Sequence, residues 1–129
     1  MNPKVAMAAV GVGMLLAAVP MSAHHSFAAV YDSAKSVTVE GTLVQFVLRN
    51  PHSFLFVDAK DADGVTQRFE VEWIAARHTN REGVNKDSLK VGDHVVVTGN
   101  PGRNPGDHRI RMTSITQTES GWKWEGAVE

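Results

Sequence analysis

A one-residue slip in the first run of alternating residues constrains the fold of this chain more than any other feature. Val37, Val39, Gly41 and Leu43 alternate with Thr38, Glu40 and Thr42, and the apolar phase then moves to Val44, Phe46 and Leu48. Side chains of a strand alternate between faces with a period of two. A slip of one residue therefore turns the apolar set over unless the strand carries a bulge or coils sharply. The pattern predicts one long strand over residues 37–49, bent near Gly41 to Val44 and able to serve two sheets.

The remaining punctuation predicts four more strands. Asn50-Pro51-His52 breaks the first run, residues 53–59 form the second strand, and Asp61-Ala62-Asp63-Gly64 has the composition of a hairpin turn. Along residues 65–73, Val65, Gln67, Phe69, Val71 and Trp73 share one face. Arg68, Glu70 and Glu72 take the other, the pattern of a sheet wet on one side. Alternation stops at Ile74, and the segment to Arg81 fits about two helical turns before Gly83. The fourth strand is expected at 94–99, a Pro/Gly loop at 100–107 and the fifth strand at 108–118. The segment from Gly121, with Trp122 and Trp124, is either a short sixth strand or a tail over one end of the domain.

Five strands in this order, with one short helix between strands 3 and 4, match an all-β, OB-like, five-stranded Greek-key barrel. Another small barrel or a two-sheet sandwich is the alternative. The expected core is Val39, Leu43, Phe46, Leu55, Val57, Phe69, Val71, Val95, Val97 and Ile110, with Trp73 in the same phase.

The domain is preceded by a different kind of segment. Lys4 leads an apolar run from Val5 to Val19 and then Pro20-Met21-Ser22-Ala23. Fifteen apolar residues fall short of the roughly 20 needed to cross a bilayer, and small residues after Pro20 suit a cleavage region. The reading is a signal peptide at 1–23, an N-terminal arm at 24–36 and the OB-like barrel domain at 37–129. An uncleaved anchor is the competing reading. Cleavage after Ala23 leaves 106 of the 129 residues, without stable membrane insertion and starting at His24. Phe27, Val30 and Tyr31 give the arm apolar anchors with which to fold back along the barrel.

Composition narrows the chemistry. With no cysteine, the chain has no disulfide, thiolate metal site or thiol nucleophile. Thirteen Lys and Arg against 14 Asp and Glu leave no basic excess for nucleic acid. No Gly-x-Ser-x-Gly elbow, phosphate-binding loop or HExxH is present, so an enzyme is not expected.

Several elements together carry a family resemblance. They are Ala23-His24-His25-Ser26-Phe27, Asn50-Pro51-His52, Val71-Glu72-Trp73 and the stretch from Leu89 to Gly99. With them the chain resembles DUF6152, a family of exported bacterial proteins of unknown function. The resemblance implies a periplasmic setting and supplies no reaction.

Candidate ligands are therefore read from the histidines. Cleavage after Ala23 would give His24 a free α-amine beside its ring nitrogen, a chelating pair to which His25 adds a third nitrogen. Reference pKa values of about 7.7–8.0 for the amine and about 6.5 for imidazole make both available near neutral pH. Such a nitrogen-rich set favours Cu(II), with Zn(II) and Ni(II) behind it. His52, in the loop between the first two strands, is the further candidate, although a long first strand separates it from the arm's junction with the barrel. His78, His94 and His108 are expected at the surface or at strand ends, and Glu70 and Glu72 as ordinary solvated-face residues. The functional expectation is a periplasmic module binding a divalent metal, copper foremost, through His24, His25 and His52. The alternative is a metal-free OB-fold interaction domain for an envelope protein or small ligand.

Overall fold

A computed structural model of the chain describes residues 27–126. Its strands are β1 (Val37–Val47), β2 (Ser53–Lys60), β3 (Thr66–Trp73), β4 (His94–Pro101), β5 (Arg109–Gln117) and β6 (Lys123–Glu125). Helix α1 spans Phe27–Val30 and helix α2 spans Ala76–Arg81. The strands form one sheet in the order β3-β2-β1-β4-β5-β6, and a parallel β3–β5 pairing closes the first five into a barrel. The architecture is all-β and OB-like, with α2 between strands 3 and 4 as the sequence predicts.

The first strand bends where its phase slips. From Val37 to Thr42 it pairs with β4, and from Gly41 to Val47 it pairs with β2, with a register shift between Leu43 and Gln45. Val44 is thus the extra residue of a bulge. On either side of it Leu43 and Phe46 both oppose inward residues of β2, Val57 and Leu55. Gly41 lies in the doubly paired stretch, where a Cβ would overlap the Asp58 carbonyl oxygen. Gly99 repeats this on β4 at the second register shift, where a Cβ would overlap the Arg111 carbonyl oxygen.

Closure rests on three parallel pairs, Glu70 with Arg109, Val71 with Ile110 and Glu72 with Arg111. His108, at φ 45°, turns the chain into β5, and its carbonyl accepts the Glu70 N–H at 3.0 Å. One barrel end is sealed by the segment after β3: Val84 and Leu89 join the core, and Trp124 of β6 packs on Trp73 at 5.1 Å. The Trp124 indole N–H donates to Glu82. Asn50 and Arg49 tie the β1–β2 loop to α2 by accepting the Arg77 and Ala76 N–H groups, and the Asn50–Pro51 bond in that loop is cis.

The expected core is buried at every position but one. Phe46 is half-buried against Trp73, because the strand is leaving the barrel as it approaches the β1–β2 loop. Met112, Ile115, Ala59 and Trp124 are buried as well. Strand ends differ from expectation by a residue or two: β1 stops at Val47, β4 runs on to Pro101, and a 3-10 turn at Pro105–Asp107 orders the loop. Two expectations about the arm need correction. It contains a helical turn, α1, that the sequence reading lacked. The Val30 side chain is 41% exposed and gives no apolar anchor, whereas Tyr31 is 3% exposed and does.

Two substitutions test this packing. Phe69→Ala should cost about 3–5 kcal/mol in denaturant unfolding, as expected for a large buried side chain. Gly41→Ala should cost about 2–3 kcal/mol although it adds only a methyl group, since the obstacle is backbone that cannot rotate away. A loss below about 0.5 kcal/mol at either position contradicts the described packing.

Candidate functional site

The arm lies across the outside of the β3–β5 seam. Asp32 N–H donates to the Pro101 carbonyl, Arg103 N–H to the Val30 carbonyl, and Tyr31 bridges to Gly102. The Arg103 Nε–H donates to the Ala28 carbonyl at 2.6 Å. These bonds fix the arm to the β4–β5 loop and direct α1 toward the opposite barrel end, where the β1–β2 loop lies.

There the arm completes a polar cluster around Glu72. Glu72 stands on the outer face of β3, beside Phe54 of β2 and Arg111 of β5. The Tyr31 hydroxyl donates to its Oε2 at 2.5 Å, and His52 Nδ1 lies 3.2 Å from its Oε1. Nδ1 is thus the ring nitrogen that faces the carboxylate. Phe27 packs on the His52 ring at 5.3 Å, near perpendicular. The Arg111 guanidinium lies 3.5 Å from the centroid of the same Phe27 ring.

The electrostatics follow from burial. Desolvation, then the hydrogen bond to Glu72 and the charge of Glu72, push the Tyr31 hydroxyl well above its ordinary value near 10. Desolvation also holds the Arg111 guanidinium below its ordinary value, against the opposing charge of Glu72.

The predicted site residues divide. His52 is half-buried and partnered within this cluster. His24 and His25 lie outside the described residues. Among the described residues no three His, Asp or Glu side chains are grouped as a metal would need. His94 pairs with Glu40 at 3.0 Å on the surface, His78 is exposed, and His108 packs edge-on against Phe69.

The reading of Glu70 and Glu72 as plain solvated residues needs correction. Both are half-buried, Glu70 pairs with Arg109 at 2.9 Å, and Glu72 holds Tyr31 and His52. Sequence reasoning missed Glu72 and Arg111 because alternation reports the face a side chain takes and not what later covers that face. The available signal was Tyr31, the sole tyrosine, whose hydroxyl needs a partner once its ring is buried.

Residues 12–111 match the model of a family of unknown function, DUF6152. The chain belongs to this family. The DUF6152 match takes in the arm, the Glu72 cluster and the barrel as far as the closing pairs of β5. No curated protein matches the chain.

The cluster makes a pH-dependent prediction. A raised Tyr31 pKa means that the folded state holds the proton more tightly than the unfolded chain. The stability it gives is fully present below the unfolded value near 10 and is lost as pH rises beyond it. Tyr31→Phe should cost about 1–2 kcal/mol at neutral pH, because Glu72 loses a donor. It should also flatten the fall in stability above about pH 10. Urea unfolding of both proteins across that range checks it; parallel curves would show that Tyr31 contributes no alkaline loss.

Proposed function

We propose that this DUF6152 protein is a binding module of the bacterial periplasm, delivered by a cleaved signal peptide, that holds a divalent metal, copper foremost. The ligands are the His24 α-amine and imidazole, His25 and His52. The observation that carries the reading is the orientation of His52. A metal-bound histidine commonly has a carboxylate beside its second ring nitrogen, which orients the ring, and Glu72 Oε1 lies 3.2 Å from His52 Nδ1.

The course of the arm supports the same reading. The first strand separates its own start from the β1–β2 loop, but the arm doubles back and sets Phe27 against His52. Phe27 follows His25 by two residues and His24 by three, and each residue of chain spans at most about 3.6 Å. That reach favours assigning all three imidazoles to one site. A donor set of nitrogens alone suits Cu(II) above the other divalent ions. The chain's own work in this reading is to hold an imidazole in one orientation and to tether a chelating terminus beside it.

Calorimetric titration with Cu(II) tests the proposal on protein processed to begin at His24. Binding at micromolar concentrations or tighter is expected, with affinity falling steeply from about pH 7 to about pH 5 as the donors take up protons. His24→Ala, or one extra residue ahead of His24, should weaken binding most, and His108→Ala should change little. Glu72→Gln should weaken it about 10-fold or more by releasing the His52 ring. Equal binding by processed and extended forms, or none by either, refutes the site and leaves the metal-free interaction domain.

A further inference from the structure

Strand β2 is apolar on both faces. Leu55 and Val57 point into the barrel, yet Phe54 and Phe56, which alternate with them, are apolar on the outside, where a sheet facing water carries polar residues. The pairing sets them in two rows across the outer face. One row runs Val47, Phe54, Glu72, Arg111, and the other Gln45, Phe56, Glu70, Arg109. The arm covers only the far half of the first row, through Tyr31 on Glu72 and Phe27 on Arg111. The two phenylalanines remain as the floor of a groove of about 490 Å³, within the size of small-molecule sites.

An arginine stands at each end, and among the described residues only one of them is without a carboxylate. Arg49 leans over the Phe54 ring at 4.8 Å, with its Nε–H on the His52 carbonyl, and has no carboxylate partner among the described residues. Arg109 stands at the other side, already neutralised by Glu70. An aromatic floor with one uncompensated guanidinium is complementary to a small molecule that carries both a ring and an anionic group. The ring lies on phenylalanine and the anion meets the fork of Arg49. We propose that this outer groove is a second ligand site, for a small aromatic carboxylate. Its lining includes none of the proposed metal ligands, Arg49 touching only the His52 backbone carbonyl, and it does not depend on copper binding.

The probe is 2-naphthoate, titrated into ¹⁵N-labelled protein with a chelator present, so that failure of the metal reading leaves this result untouched. Saturable shifts are expected at residues 45–49, 54–56 and 70. Arg49→Gln should weaken naphthoate about tenfold, the usual scale for losing a charge-assisted contact, and should leave the uncharged 2-naphthylmethanol unchanged. Phe56→Thr, on the outer face and so compatible with folding, should weaken both compounds. Absence of saturable shifts at millimolar probe would overturn the assignment, as would an Arg49→Gln protein that binds naphthoate normally. Shifts confined to the hollow at the other barrel end, lined by Val39, Phe69 and His108, would do the same.

Discussion

A strand that belongs to two sheets must pass its backbone very close to a neighbour, and in this chain that passage happens at Gly41. The residue pairs with Val95 on one side and Ala59 on the other. The space a Cβ would need is taken by the backbone of β2. The absence of a side chain at this point permits the coil, and the bulge at Val44 then resets the phase so that Phe46 still turns inward. Everything beyond follows from that correction. Gln45 and Val47 are set outward beside the phenylalanines of β2, and the strand ends where the β1–β2 loop can present His52 to Glu72.

A half-buried carboxylate is the second constraint. Left alone on the outer face of β3, Glu72 would be an ordinary surface charge. Once the arm covers it, the carboxylate needs donors, because a covered charge without them costs far more than a polar contact returns. Tyr31 donates to it and His52 brings Nδ1 within 3.2 Å, from two segments that are 21 residues apart in the chain. The same charge that stabilises the docked arm also fixes the imidazole, so the features that order this region and those that shape its candidate site are the same atoms.

Much of this fold was legible in the sequence, because it is written in local periodicity. The phase slip located the bend, the alternation along β3 located Phe69 and Val71 in the core, and the loss of alternation after Trp73 located α2. Residue-by-residue patterning is blind to tertiary cover. It singled out His52 by its loop position but assigned Glu72 to solvent, since nothing in Val71-Glu72-Trp73 reveals that Tyr31, 41 residues earlier, will lie over it. Val30 failed as an anchor for a related reason. In a single helical turn only one side meets the barrel, and Tyr31, at the end of that turn, takes the buried position.

The barrel is joined at its seam by only three parallel pairs, fewer than any of the antiparallel ladders among the first five strands. The arm is laid across that seam like a clasp, attached to the β4–β5 loop at one end and to Glu72 and Arg111 at the other. Letting go of the arm would uncover the carboxylate and the shortest ladder at the same time, so the two events share one free-energy cost. Amides of residues 109–111 would then exchange with solvent in step with those of residues 31 and 32, as a single cooperative unit. In such a molecule whatever holds the amino-terminal segment in place also governs how firmly the barrel is shut.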